Sequence, residues 1–254
     1  MDTNWLYDIL RCPETLKVLQ HTENGYECEG KIYKETNGIL SIVYPDVLDG
    51  DDAKFNKFYN LFAPLYDWNE RVMGKLLAGV DVMKGRKQIV SLLGLKPGMR
   101  ILEVSPGSGV FQSFLRNDIG NIGQYVALDL SMAMLRQCQR NKALNIRLIH
   151  GNAQFLPFAD NSFDALFHFG GVNLFNEPQK AISEFIRVVK KDGIVSWGDE
   201  GFSKDYPNEQ RKKIMTKINP GFSKPHPAIP NSVYEVFEYE VYDGNAYLVV
   251  AKKR

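Results

Sequence analysis

The loop between residues 103 and 109 has residue types suited to holding a nucleotide-like ligand. An apolar stretch, Arg100 to Val104, carries the carboxylate Glu103 and leads into Ser105-Pro106-Gly107-Ser108-Gly109. Glycine lacks a Cβ and adopts positive φ, so backbone N–H groups in such a loop can approach a ligand closely. A helix is predicted to follow from Val110 to Asn117. This order of strand, turn and helix predicts a cofactor site at the loop.

Two further predicted strands also end in polar residues. Asp129 follows the strand Gln124 to Leu128, and its carboxylate is suited to accept hydrogen bonds from ribose hydroxyls. Asn152 and Ala153 follow the strand Ile146 to His150, and the amide oxygen of Asn152 is suited to accept from an adenine amine. Ligands of open parallel sheets bind beyond the carboxyl ends of the strands. The three strand ends together therefore predict a nucleoside site.

A dinucleotide-binding loop is the main alternative, because an acidic residue about 20 positions after the glycines is also typical of nicotinamide dinucleotide proteins. That motif needs the pattern G-x-G-x-x-G. Counted from Gly107, the third glycine position holds Gln112. The missing glycine argues against a dinucleotide, and a tight strand-to-helix turn without a ligand remains the other alternative for Gly107 and Gly109.

Beyond Pro97-Gly98 the predicted strands and helices alternate. The strands are Arg100 to Val104, Gln124 to Leu128, Ile146 to His150, Phe163 to Phe167, Gly193 to Trp197, Val233 to Tyr242 and Ala246 to Lys252. The helices are Val110 to Asn117, Met132 to Ala143 and Pro178 to Lys190. The alternation predicts an α/β fold with a doubly wound, mostly parallel seven-stranded sheet. Asp243-Gly244-Asn245 predicts an antiparallel hairpin at its end.

The residues before this alternation divide into two parts. Short apolar runs separated by turn residues predict a small β-rich domain over residues 1–45, after a short helix. Pro45 to Asp52 is polar and turn-forming, which predicts a linker. A helical pattern then covers residues 53–95. We therefore expect a main domain over 53–254, with its first helices forming a cover for the site.

Composition limits the classes of partner. The chain has 254 residues, of which 44% are hydrophobic, and a formal net charge of +1. Residues 1–54 carry 11 acidic and five basic side chains, and the sequence has no long basic stripe, which argues against nucleic acid. No apolar run approaches the ~20 residues of a membrane helix, and three cysteines form no disulfide framework. The sequence predicts a cytoplasmic protein without a membrane span, and gives no signal for an oligomeric state.

Several motifs follow one another in a fixed order. They are Glu103-x-Ser105-x-Gly107-x-Gly109, Leu128-Asp129-Leu130-Ser131, Gly151-Asn152-Ala153 with Leu156-Pro157-Phe158, Asn161-Ser162-Phe163-Asp164, and Glu184-x-x-Arg187-Val188-Val189-Lys190-x-x-Gly193. Together they resemble the class I S-adenosylmethionine-dependent methyltransferases, and within them the branch of the ubiquinone and menaquinone C-methyltransferases. Phe58 to Asp67 is similar to the segment that covers the cofactor in that branch. The resemblance implies S-adenosylmethionine as cofactor and S-adenosylhomocysteine as product.

The resemblance also assigns cofactor-binding residues to the strand ends. In chain order they are Glu103, Ser105, Pro106, Gly107, Gly109, Asp129, Leu130, Asn152, Ala153 and Gly170. Glu103 and the glycine loop would hold the methionine end, and Asp129 the ribose. Asn152 and Ala153 would hold the adenine, and Gly170 would lie near the reactive sulfonium.

Two residues depart from the family pattern. Ser105 stands where the family usually has glycine, which is compatible with the loop if the φ angle of Ser105 is negative. Asn152 replaces the usual aspartate, which removes a charge but keeps a hydrogen-bond acceptor. We expect both replacements to be compatible with cofactor binding, at some cost in affinity.

The candidate catalytic residues are His168, Tyr59 and Tyr66. Methyl transfer from a sulfonium is an in-line displacement, so proximity supplies much of the catalysis and a base is needed only where the acceptor must lose a proton. His168, at the end of the fourth strand, is a candidate base, and equally an ordered strand-end histidine. Tyr59 and Tyr66 lie in the covering segment, where packing is the alternative role.

The N-terminal segment from Leu6 to Pro13 looks like the zinc-ribbon-like domain that precedes some methyltransferases. Structural zinc takes four ligands, commonly in paired C-x-x-C motifs. Thr15 stands where the partner of Cys12 would be, and Cys28 has no second cysteine beside it. We expect a ribbon with an incomplete ligand set and no metal.

These observations favour an enzyme that transfers a methyl group from S-adenosylmethionine to a small-molecule acceptor. One alternative is an RNA-modifying methyltransferase, because a ribbon before this catalytic fold also resembles a ribosomal RNA guanine methyltransferase. A second is a cofactor-binding module without catalysis that acts through a partner. The acceptor atom is left open, because fold does not determine substrate.

Overall fold

The computed structural model describes residues 4–23, 25–62, 80–119, 124–140, 146–203 and 205–254. The helices in these ranges are α1 (Asn4–Ile9), α2 (Gly50–Phe62), α3 (Val82–Leu92), α4 (Phe111–Ile119), α5 (Met132–Arg140), α6 (Pro178–Val188) and α7 (Glu209–Ile218). The strands are β1 (Gln20–Thr22), β2 (Gly25–Cys28), β3 (Lys31–Tyr33), β4 (Glu35–Thr36), β5 (Ile39–Ser41), β6 (Arg100–Val104), β7 (Gln124–Asp129), β8 (Arg147–His150), β9 (Phe163–Phe169), β10 (Val189–Glu200), β11 (Val233–Val241) and β12 (Ala246–Lys253).

A central sheet runs in the order β11-β12-β10-β9-β6-β7-β8-β5-β4. Strands β5 to β10 pair in parallel, and β12 pairs antiparallel with both β10 and β11. The predicted seven-stranded, mostly parallel sheet ending in a hairpin is confirmed as β6 to β12. Strand order reverses between β6 and β9, which is where an open parallel sheet leaves a crevice for a ligand.

The central strands are buried on both faces, which explains why the sequence predicts them well. β6 and β7 are each half-buried only at their first residue and buried along the rest. A parallel strand covered by helices on both faces reads as a continuous apolar run rather than an alternating one. Helix α6 shows the complementary pattern, with its buried residues on one face at helical spacing: Ala181, Ile182, Phe185, Ile186 and Val188.

The first 45 residues contribute to two sheets. β1, β2 and β3 form a small antiparallel sheet of their own. β5 pairs in parallel with β8, and β4 extends that edge, so two strands from this segment widen the central sheet. Leu6, Leu10 and Ile42 belong to the same buried cluster as Phe158 of the main fold. The division of the chain near residue 45 stays a prediction, as does the likeness of this segment to a zinc ribbon.

The hairpin between β11 and β12 turns through residues with left-handed backbone. Tyr242, Asp243 and Gly244 have φ angles of 51°, 52° and 80°. Asn245 stabilises the turn, because its Nδ2 donates to the carbonyl of Tyr242 at 2.8 Å. The turn brings Tyr242 and Asn245 to the carboxyl end of the sheet, beside the crevice.

Within the described ranges, no helix has the length and hydropathy needed to cross a membrane. The same part of the chain holds no group of three or more His, Cys, Asp or Glu side chains arranged to bind a metal ion.

Candidate cofactor and acceptor site

A cavity of about 460 Å³ lies beyond the carboxyl ends of β6, β7, β9 and β10. On its loop side it is lined by the segments that follow β6 and β7, residues 105–108 and 129–131. Its apolar side is formed by side chains from several elements, among them α3, α4, α7 and β9. The lining residues there are Val80, Val82, Phe111, Phe169, Leu174, Met215, Ile218, Phe222 and Ala246. One cavity therefore joins the glycine loop to an apolar surface.

The residues predicted from sequence to bind a cofactor divide into two groups. Those that line the cavity are Ser105, Pro106, Gly107, Asp129, Leu130 and Gly170. Those that do not line it are Glu103, Gly109, Asn152 and Ala153. The first group is placed to contact a ligand directly, whereas the second supports the loops from below.

Ser105 has a φ angle of +56°, which differs from the negative φ expected from the sequence. Its N–H donates to the carbonyl of Leu128 at 2.7 Å, and this bond fixes the peptide at the end of β6. The chain must turn sharply here to leave the sheet, and Gly107 has a similar φ of +57°. A residue with a Cβ is strained in this conformation. The serine thus occupies a position whose backbone favours glycine.

Gly109 also has a positive φ, of +81°, and it is required for a second reason, which is close packing. A Cβ at this position would lie 2.3 Å from Nε2 of Gln112 and 2.8 Å from Sγ of Cys138. Gln112 and Cys138 are buried and form a hydrogen bond of 2.8 Å between these same atoms. The absence of a side chain at Gly109 lets α4 and α5 approach each other beneath the loop.

Glu103 is buried under the loop and accepts a hydrogen bond from the hydroxyl of Tyr125 on β7. Burial raises the pKa of Glu103 to about 8, against an ordinary value of 4.5. A carboxyl group in this environment is protonated at neutral pH unless a cation is placed beside it. A positively charged group near the end of β6 would therefore stabilise Glu103 in its carboxylate form.

Asp129 joins the two loops of the site. Its Oδ2 accepts from the N–H of Gly107 at 3.1 Å, and its Oδ1 accepts from the N–H of Ser131 at 2.8 Å. Burial raises the pKa of Asp129 to about 6. The carboxylate lines the cavity and keeps lone pairs for a ligand, because each oxygen of a carboxylate accepts about two hydrogen bonds.

Asn152 does not project into the cavity, and this placement argues against the predicted adenine contact. Its Oδ1 accepts from both the N–H and the Nε2 of Gln154, at 3.0 and 3.3 Å. Its Nδ2 donates to Oδ2 of Asp52 at 3.2 Å. The carboxamide thus holds the first turn of α2 against the segment after β8, with its oxygen already accepting two hydrogen bonds.

His168 is fully buried and does not line the cavity. Its Nδ1 donates to the carbonyl of Val104 at 3.0 Å, and its ring packs against Phe175 and Phe185. Burial lowers the pKa of His168, which favours the neutral ring. Because the ring is fully buried outside the cavity lining, it cannot contact a substrate in the cavity. The placement supports the ordered strand-end role and argues against a general base.

The other two catalytic candidates are not located by the structure. Tyr59 belongs to α2, but its side chain lies outside the described part of the structure, and Tyr66 lies outside the described residues altogether. Sequence reasoning missed three polar residues that line the apolar side, Arg86, Glu200 and Tyr242. Arg86 lies in a predicted helix, where a charged side chain is expected on the exposed face. No sequence pattern indicated that it is buried.

The turn after β9 is held by a carboxylate that the sequence did not indicate. Gly170 and Gly171 have φ angles of 86° and 98° and line the cavity. The buried Asp199 accepts from the N–H of Gly171 at 3.0 Å and from the N–H of Asn173 at 2.7 Å. Asp199 thereby fixes the backbone between the loop side and the apolar side of the cavity.

The fold and the cavity define the class of protein: a Rossmann-like α/β protein with a cavity beyond the carboxyl ends of β6 and β7. Residues 102–196 match a family model described as a methyltransferase domain. The chain is 34% identical over 192 residues to a demethylmenaquinone methyltransferase of Desulfitobacterium hafniense, which covers 70% of this chain and 74% of that one. The chain belongs to the family of S-adenosylmethionine-dependent methyltransferases.

Two other comparisons agree with this assignment. A demethylmenaquinone methyltransferase of Renibacterium salmoninarum is 40% identical over 131 residues, 52% of each chain, so this chain spans about half the length of that relative. The solved phosphoethanolamine N-methyltransferase 2 of Haemonchus contortus, in complex with S-adenosyl-L-methionine, has a TM-score of 0.58 at 16% identity. The likeness covers 83% of this chain and 61% of that one, and it concerns the fold alone.

Proposed function

We propose that the protein transfers the methyl group of S-adenosylmethionine to a small, largely apolar acceptor. The observation that carries this proposal is the single cavity that joins the glycine loop and Asp129 to an apolar surface. When bound, the cofactor supplies a methyl group on a sulfonium that already carries its leaving group. The protein then has to hold both partners in line and keep water away, which is catalysis mainly by proximity.

The residues of the loop side fit the cofactor. Asp129 accepts from ribose hydroxyls while it holds the loop, and Leu130 offers an apolar edge to the base. Glu103, whose pKa burial raises to about 8, lies outside the cavity lining, and the ammonium of the methionine end would favour its carboxylate form through charge rather than direct contact. We propose these roles in place of the one that the sequence suggested for Asn152, whose carboxamide is already engaged.

The apolar side fits a hydroxylated ring better than a highly charged acceptor. Aromatic and aliphatic side chains form most of its wall, some of them from α3, α7 and β9. Arg86, Glu200 and Tyr242 are among the polar groups that line the cavity, and they are suited to orient hydroxyl or carbonyl groups on the ring. Since two relatives are named as demethylmenaquinone methyltransferases, we propose a quinol-type ring as the acceptor.

The experiment that tests this function is transfer of a labelled methyl group. Purified protein is incubated with S-adenosyl-L-[methyl-³H]methionine and either a reduced naphthoquinone lacking the ring methyl, a simple phenol or total RNA. We expect label in the naphthoquinol, with loss of transfer in Asp129→Ala. Label in RNA alone would contradict the proposed acceptor class, and label in none of them would contradict methyl transfer to this class of ring.

A cofactor-binding module without catalysis is the second candidate. It is favoured by two observations, the strained Ser105 in the cofactor loop and the absence of His168 from the cavity lining. Tight binding of S-adenosylhomocysteine without turnover on any acceptor would support it. Transfer to the naphthoquinol above the rate without protein would exclude it.

A further inference from the structure

His150 connects the N-terminal segment to the cofactor loop. It is the last residue of β8, and its two ring nitrogens contact groups on opposite sides. Nδ1 lies 2.9 Å from Oγ of Ser41 on β5, and Nε2 lies 3.0 Å from the carbonyl oxygen of Leu130. Leu130 follows Asp129 and lines the cavity.

The partners determine which nitrogen carries the proton. A carbonyl oxygen only accepts, so Nε2–H must donate to Leu130. Nδ1 is then the acceptor, and the hydroxyl of Ser41 donates to it. Burial lowers the pKa of His150 and so favours the neutral ring that this arrangement uses. Ser41, His150 and Leu130 therefore form one directed chain of hydrogen bonds that starts in β5.

Backbone bonds run beside this chain. The N–H of Ile42 donates to the carbonyl of His150 at 2.8 Å, and the N–H of Gly151 donates to the carbonyl of Asp129 at 3.0 Å. Hence both the side chain and the backbone of His150 are held from the β5 side. On the other side His150 bonds to Leu130 and its neighbour Gly151 bonds to Asp129, and both of these partners line the cavity.

A second contact anchors the N-terminal segment to the main fold. The N–H of Arg11 donates to the carbonyl of Pro157 at 2.9 Å, and the N–H of Ala159 donates to the carbonyl of Ile9 at 2.8 Å. Leu10 and Phe158 are fully buried at this contact. Residues 4–42 thus cover the edge of β8 and the segment that follows it, so β8 is not a free sheet edge.

We propose that residues 4–42 are a built-in support for the cofactor site, and that His150 is the positioning residue through which this support sets cofactor affinity. The proposal rests on the proposed function, since it concerns the affinity for S-adenosylmethionine and its product. The support keeps the carbonyl of Leu130, and with it the backbone beside Asp129, in the conformation that the ligand meets. Preorganisation of this kind raises affinity because the loop has less freedom to lose on binding.

Binding of S-adenosylhomocysteine to the full chain, measured by calorimetry, tests the proposal together with the urea unfolding free energy. His150→Phe removes both side-chain bonds and should weaken binding roughly tenfold. Ser41→Ala leaves the ring without its donor and should weaken binding about threefold. His150→Gln keeps a donor toward Leu130 and should remain within about twofold of the unmodified chain. Thr36→Ala, which removes an exposed hydroxyl from the neighbouring β4, is the matched control and should bind normally.

The outcomes separate this proposal from the function on which it rests. Weaker binding in His150→Phe, with recovery in His150→Gln, would support a positioning role. If His150→Phe lowers the unfolding free energy but leaves the affinity within twofold, the residue is only structural and the proposal is overturned. Should His150→Phe fail to fold, normal binding by Ser41→Ala would overturn it instead. Failure of the unmodified chain to bind S-adenosylhomocysteine would contradict the proposed function itself.

Discussion

At the scale of single residues, the site combines groups in unfavourable conformations or environments. Ser105 adopts a left-handed backbone, and Glu103 and Asp129 are carboxyl groups with raised pKa values. Each of these costs stability in the protein without ligand. Under the proposed function, a bound cofactor would offset the cost for the carboxyl groups, because it would bring a positive charge and hydroxyl donors. The residue types were readable from the sequence, whereas the backbone angle and the burial were not.

Replacing Ser105 by glycine should stabilise the protein. The φ angle of +56° is unfavourable for a residue with a Cβ, and glycine removes that strain at the cost of a more flexible unfolded chain. We expect a gain of about 1 kcal/mol in unfolding free energy, measured in urea. Ser105→Ala keeps the Cβ and serves as the control, and an equal gain in that variant would show that the hydroxyl, not the backbone angle, is responsible.

The buried carboxyl of Glu103 should make stability depend on pH. Its pKa is about 8 in the folded protein and 4.5 as its ordinary value, so between these values the folded state binds more protons than the unfolded state. The unfolding free energy should therefore fall as pH rises from 4.5 to 8 and level off above. Unfolding measured between pH 6 and 8, where Asp129 contributes little, should show a smaller slope in Glu103→Gln. An unchanged slope would mean that Glu103 does not titrate in this window.

At the scale of helices and strands, sequence reasoning succeeded where the signal is local. β6 and β7 are continuous apolar runs between turn residues, and their bounds agree with prediction to within one residue. It could not identify contacts between distant segments. The pairing of β5 with β8 joins residues 109 positions apart, and the bond from Asn152 to Asp52 joins residues 100 positions apart. A strand as short as β5, Ile39–Ser41, carries no information about its partner strand.

Helix α2 depends on Asn176 for its N-terminal cap, although that residue is distant in sequence. Oδ1 of Asn176 accepts from the N–H groups of Asp51 and Asp52, at 2.7 and 3.2 Å. Asp52 and Asn56 of α2 line the cavity. Asn176→Ala should therefore cost about 1 kcal/mol in stability, and it should raise KM for the acceptor more than it lowers kcat.

Ser183→Ala is a suitable control for that variant, because Ser183 is exposed on α6 and bonds only to the carbonyl of Gln179 in the contacts described. Ser183→Ala should change neither the stability nor the KM and kcat for the acceptor. If Asn176→Ala lowered kcat and left KM unchanged, α2 would not act as a cover for the acceptor.

At the scale of the whole molecule, the first 45 residues and the methyltransferase fold share a sheet and a buried core. The sequence pattern predicts a separate small β-rich domain over residues 1–45, followed by a polar linker. In the structure it closes one edge of the central sheet and reaches the cofactor loop through His150. The acidic charge of residues 1–54 thus belongs to a segment that shares the central sheet, and weak binding of nucleic acid stays a prediction from that charge.

Binding of S-adenosylhomocysteine to the full chain and to Asp129→Ala, by calorimetry, tests the central claim most directly. Asp129 lines the cavity and holds the glycine loop through Gly107. We expect one molecule bound per chain, and an affinity at least roughly tenfold lower in the variant, because hydrogen bonds to a charged group are lost. No binding to the unmodified chain, or equal affinity in the two proteins, would contradict a cofactor site at these loops.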